Sequence, residues 1–237
     1  GYAMNLWRAL LTGAAGFALA ALVLKPLVLS LTGLPTGEWT FVAAGALSAG
    51  LLEEGTRAAL LRWSGWPAGR TLAGLALGWA VAELLLVGVA GALQLWTLAT
   101  QPDLLARAMT ELPPRTAALL ARQVDAVVTG GWWLAVFWPL ERLAAMALQI
   151  GFTATLAAGM APGRTLAQRL GVLVLVMLAH AAVDVPAAGF QAGLWPLTPV
   201  QLLYAVIGMP LALWAWRWCR GQFRPAAAPT APPAASG

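Results

Sequence analysis

Residues 51–61 read LLEEGTRAALL, two glutamates and an arginine set inside an otherwise apolar run. The fold turns on whether that run lies in water or in lipid, and composition answers. Of 237 residues, 60% are hydrophobic and only 10% charged, with a mean hydropathy of +0.76, whereas soluble domains carry roughly 25% charged residues. A water-soluble chain of this composition would expose large apolar patches and aggregate. A lipid-facing exterior accommodates it, so the expected fold is all-α: a polytopic transmembrane helix bundle.

A spanning helix needs about 20 mostly apolar residues. Six stretches qualify, at 9–32, 40–62, 71–97, 132–160, 169–190 and 199–218. The first could be mistaken for a signal peptide, but it runs too long and Lys25-Pro26 interrupts it where cleavage would fall. It therefore reads as a retained span, with Met4 as the natural start and residues 1–3 as a tag remnant. The segment 127–160 is long for one span, and TGGWWLAVFWPL (129–140) could form a short or re-entrant helix, which would make seven. Between the third and fourth spans, 98–131 carries helical apolar spacing on a charged background, broken at Pro113-Pro114. It reads as two amphipathic helices on the membrane surface. The Pro- and Ala-rich residues 219–237 read as a disordered tail.

The net charge of +5 does not indicate nucleic acid, because the arginines lie near the ends of apolar runs. With a cytoplasmic N-terminus, the inside segments carry Arg8, Arg62, Arg70, Arg164, Arg169, Arg217, Arg220 and Arg224. The outside turns at 33–39 and 191–198 carry no Lys or Arg, and the third outside segment offsets Arg107, Arg115 and Arg122 with Asp103, Glu111 and Asp125. This is a positive-inside pattern, placing both termini on the cytoplasmic side of the inner membrane. The single cysteine, Cys219, excludes an internal disulfide and a CxxC-type zinc site. Tryptophans cluster near span ends, where they anchor to the headgroup layer.

Ionisable residues within the spans carry the functional signal. Glu53 and Glu54 lie just past the middle of the second span, Glu83 at the middle of the third and His180 at the middle of the fifth. Glu141 lies nearer the surface of the fourth, and Asp184 one turn after His180. Each acid at mid-membrane costs roughly 2.5–3.5 kcal/mol on insertion scales, so these groups must face one another, a cation or a water-filled cavity. Local pairing accounts for part of the set. Arg57 stands at i+4 from Glu53 and i+3 from Glu54 and neutralises one of them. Asp184 can orient His180 in the same way, and Glu141 sits beside Arg142. One glutamate of the pair, and Glu83, have no local partner.

The ordered motifs resemble a known family. EEGTR (53–57) and HAAVD (180–184) are similar to the EExxR and HxxxN/D motifs of the bacterial CAAX-protease and bacteriocin-processing group. Together with ALGWAVAE (76–83) and ERLAAMALQ (141–149), they resemble the YhfC family of intramembrane metalloproteases over residues 40–190. The family pattern has a histidine four residues before the second-motif Glu and another eight residues after the third-motif Glu. Here those positions hold Trp79 and Gln149.

The resemblance implies an intramembrane endopeptidase acting on a membrane-embedded or membrane-proximal peptide. Glu54 is then the expected general base, with Arg57 holding Glu53. His180, oriented by Asp184, binds a metal such as Zn2+ or polarises the carbonyl, with Glu83 and either Glu54 or Glu141 completing three protein ligands. Gln149 and Arg142 support this set from outside it. The absent histidines keep a second reading open: a non-catalytic membrane protein, either a scaffold or immunity factor or a small transporter relaying protons through Glu54, Glu83 and His180.

Overall fold

The computed structural model describes residues 4–34 and 38–220. Among these residues there are seven helices and no strands. They are α1 (Leu6–Thr32), α2 (Trp39–Trp63), α3 (Gly69–Thr100), α4 (Pro102–Glu111), α5 (Pro114–Met160), α6 (Leu166–Gln191) and α7 (197–219). Five of them, α1, α3, α5, α6 and α7, are long and apolar enough to cross a membrane. The charges Glu53, Glu54, Arg57 and Arg62 dilute the hydropathy of α2. At 25 residues and about 1.5 Å of rise per residue it is nonetheless long enough to cross, and Glu53, Glu54 and Arg57 are buried inside the bundle. The chain is a polytopic helical membrane protein.

The long segment after the amphipathic region divides at Gly131, whose φ of 52° and ψ of −135° leave the helical region inside α5. The arm 114–130 packs with α4, and 132–160 runs on through Pro139 as one helix rather than forming a separate re-entrant turn. The helix of α7 extends through Cys219, so the expected tail begins later than 219. From residue 221 onward, and at 1–3, the sequence expectations lie outside the described residues.

Two glycine-lined contacts set the bundle. Along α1 and α3, a Cβ on Gly13 would stand 2.2 Å from the Leu75 carbonyl oxygen, and one on Gly78 would stand 2.0 Å from that of Leu10. Backbones that close require glycine, the usual device where no hydrophobic force drives membrane helices together. Between α2 and α6, a Cβ on Gly50 would stand 2.2 Å from the Met177 carbonyl oxygen. One turn further along, this approach sets Glu54 against His180. α5 packs on α3, α6 and α7 and closes the bundle behind them.

Three helices contain π-helical stretches: Ala18–Leu24 in α1, Leu84–Val89 in α3 and Tyr204–Gly208 in α7. Such stretches are rare and recur at functional sites. Lys25 directly follows the first, with its backbone N–H on the Ala20 carbonyl five residues back. Glu83 directly precedes the second, and Tyr204 opens the third. All three residues line the same cavity.

Candidate active site

Glu54 is fully buried, and its carboxylate is the centre of a polar chain. Arg57 reaches both of its oxygens through Nη1, at 2.6 and 2.7 Å. The other guanidinium nitrogen, Nη2, donates to Gln149 Oε1. The guanidinium carbon lies 4.3 Å from the ring centroid of Trp79, and Phe17 meets that indole edge-on. Trp79 and Gln149, the two positions where the family pattern has histidine, thus both contact Arg57. Sequence spacing allowed Arg57 to hold Glu53. The structure pairs it with Glu54 instead, because the i+3 direction on α2 faces Gln149 and Trp79 while Glu53 turns to the cavity.

On the opposite side, Glu54 Oε1 stands 2.5 Å from Nδ1 of His180. A carboxylate accepts, so Nδ1–H donates, and a neutral ring in this tautomer would carry its lone pair on Nε2. Phe152 stacks on the imidazole at 5.2 Å between centroids and 19° between planes, fixing the ring plane. Nε2 then faces Glu53 Oε2 and Asp184 Oδ1, each at 3.8 Å. Glu53 Oε2 is buried without a hydrogen-bond partner among the described residues.

These groups open on a cavity of about 370 Å³ whose wall includes Lys25, Glu53, Glu83, Arg142, His180 and Asp184. One oxygen of Glu83, Oε2, is buried and also lacks a hydrogen bond among the described residues. Glu141 takes a different part: it binds the neighbouring Arg142 and is not part of the cavity wall, so it does not join the expected ligand set. Asp184, expected only to orient His180, faces Nε2 directly. Lys25 received no role from sequence, although it is the single lysine of the chain and stands inside an apolar run. Its Nζ lies 3.8 Å from Asp184 Oδ2.

The donor set suits a divalent transition metal. Glu53, His180 and Asp184 each present one ligand atom, and the three atoms lie within 4.8 Å of one another. Zinc with bonds of about 2.0–2.1 Å has tetrahedral edges of about 3.4 Å, close to the two 3.8 Å separations from Nε2. The orphaned Glu53 oxygen is the atom such an ion would satisfy. A histidine that donates its other ring N–H to a carboxylate is the usual support for a metal ligand, and Glu54 stands where it would supply that support.

A family model described as YhfC intramembrane metalloprotease matches residues 2–206. Comparison with the curated proteins gives no match, and neither does comparison with the solved structures.

Proposed function

The chain belongs to the YhfC intramembrane metalloprotease family, and from that premise we propose that it is a metal-dependent endopeptidase hydrolysing a peptide bond within or near the membrane. Glu53, His180 and Asp184 hold a divalent ion, zinc by their donor types. When bound, that ion supplies Lewis-acid polarisation of a carbonyl or water oxygen. Glu83, on the same cavity wall, is the general base. It takes a proton as water adds to the scissile carbonyl carbon, then returns it to the amine nitrogen as the C–N bond breaks. Glu54 keeps the His180 N–H in place, and Arg57 holds the Glu54 carboxylate. Gln149 and Trp79 hold Arg57, and Arg142 holds Glu141 behind the cavity wall. The protein sits in the inner membrane with both ends cytoplasmic and the 98–131 segment on the outer face.

The observation that carries this reading is the split environment of His180: one ring nitrogen is tied to Glu54 at 2.5 Å, and the other is open to two carboxylates. The test is elemental analysis of detergent-purified protein alongside cleavage of a fluorogenic transmembrane peptide in liposomes. Wild type should hold one zinc per chain and cleave, with chelation stopping cleavage and zinc restoring it. His180→Ala and Glu53→Gln should lose both. A wild type that takes up no metal and leaves such peptides intact would overturn the reading.

A further inference from the structure

Lys25 is unlike every other cation in the protein. The chain has 14 Lys and Arg residues, and this is the single lysine among them. It enters the cavity from α1, where the π-helical stretch Ala18–Leu24 ends and Pro26 follows. Its side chain is 26% exposed, on the cavity wall, 3.8 Å from Asp184. That separation is an ion-pair distance and too long for a hydrogen bond, so the ammonium donors remain available.

Several donors around the cavity already have acceptors, while Arg142 Nε is buried without one among the described residues and faces a carboxylate-rich wall as part of a guanidinium already paired. Tyr204 donates its hydroxyl to the Val183 carbonyl, and Arg142 binds Glu141. Arg57 is taken up by Glu54 and Gln149. Charge leads to the same residue. Glu53, Glu83 and Asp184 bring three carboxylates to one cavity, and a divalent ion neutralises two of them. In a site screened from bulk water the third charge calls for a monovalent cation, and Lys25 supplies it. An ammonium so placed, with free donors facing the space beside the metal-ligating cluster, is positioned to bind an oxygen that gains negative charge.

Resting on the proposed endopeptidase function, we propose that Lys25 is a catalytic residue: its ammonium donates a hydrogen bond to the scissile carbonyl oxygen as that oxygen becomes negative in the tetrahedral intermediate. Asp184 keeps the ammonium aimed into the cavity between turnovers. The donor remains protonated throughout, so the proton balance between water, Glu83 and the leaving amine is unchanged.

Because the chain has one lysine, the group can be watched directly. Reductive methylation of the full-length protein in detergent with 13C-formaldehyde places a charged dimethylammonium probe on Lys25, and the signal is assigned by its loss in Lys25→Arg. Adding zinc and then a phosphinic peptide with apolar side chains, a mimic of the tetrahedral intermediate, should shift that signal. Lys25→Met should retain stoichiometric zinc and a near-unchanged KM. Its kcat should fall about 100-fold or more, the usual cost of losing one such donor, with a matching loss of phosphinate affinity and partial recovery in Lys25→Arg. If wild type binds zinc and the mimic while the Lys25 signal stays fixed and Lys25→Met binds the mimic as tightly, the role of Lys25 falls and the endopeptidase reading stands. If Lys25→Met instead loses zinc and thermal stability in step with activity, Lys25 is a structural counter-ion and the proposal is overturned. If wild type binds neither zinc nor the mimic, both readings fall together.

Discussion

Glu54→Gln separates the arrangement seen in the structure from the one that the family resemblance implied. A catalytic base replaced by its amide stops turnover and leaves metal binding intact. In the structure Glu54 instead supports His180 from behind and anchors Arg57, with contacts of 2.5, 2.6 and 2.7 Å. The amide keeps the shape and can keep its oxygen at the Oε1 position that meets both His180 and Arg57, but it removes the charge and sets an NH2 group against Arg57 Nη1 where Oε2 accepted. Weakening a carboxylate that supports a metal-bound histidine costs 10–100-fold in affinity, or about 1.4–2.7 kcal/mol. Leaving the buried Arg57 without its carboxylate costs a further ~3 kcal/mol of stability, moderated by Gln149 and the face of Trp79. Zinc affinity, measured by competition with a chelating dye in detergent, should therefore fall 10–100-fold for Glu54→Gln and beyond detection for Glu53→Gln. Cleavage at saturating zinc should survive in Glu54→Gln at a reduced level. Unchanged zinc affinity with abolished cleavage would refute this, and would return Glu54 to the role of base.

Other variants test separate parts of the site. Glu83→Gln should keep one zinc per chain while kcat falls 10²–10⁴-fold, the usual contribution of a general base; loss of zinc in that variant would make Glu83 a ligand. Gly50→Ala should cost about 1–3 kcal/mol in denaturant titration and weaken zinc binding, since its Cβ would stand 2.2 Å from the Met177 carbonyl. Gly55→Ala, whose nearest neighbour would be Met177 Cε at 3.8 Å, should be tolerated, and equal effects would show that the α2–α6 approach does not set the site. Gln149→Ala strands one end of the Arg57 guanidinium and should lower stability by about 1–3 kcal/mol with a smaller effect on zinc. Reporter fusions in the 161–165 turn should read cytoplasmic and those in the 98–131 segment extracytoplasmic, and the opposite pattern would invert the proposed orientation.

Depth along the helices was legible in the sequence because a spanning helix converts residue number into height. Equal heights picked out Glu53, Glu54, Glu83 and His180 before any coordinates. Azimuth was not legible. Glu53 and Glu54 sit about 100° apart around α2, and either can reach Arg57. The choice rests on which neighbours crowd each side, here Gln149 and Trp79 on one and the cavity on the other. The same limit made Asp184 look like a helper of its own-helix neighbour rather than a group facing Nε2. Lys25 was overlooked for another reason: beside Pro26 it looked like an interruption of the span, and only the partner helix showed what it faces. The length of 127–160 signalled that one straight span could not hold it, but the break itself, at Gly131, was not read from the sequence.

The π-helical stretches bear on how the gene tolerates insertions and deletions. A wide turn behaves as extra chain within a helix, and removing one residue from it can restore ordinary α-helical winding without breaking the helix. The rest of the helix then keeps its phase, whereas a deletion in an ordinary α turn rotates everything beyond it by about 100°. What changes is the turn itself, and Lys25, Glu83 and Tyr204 stand at the edges of the three turns. Single-residue deletions at Ala18–Leu24, Leu84–Val89 or Tyr204–Gly208 should thus yield membrane-inserted, folded proteins in which only the neighbouring cavity side chain is displaced. The three slack turns are dispensable to the bundle and specific to the cavity.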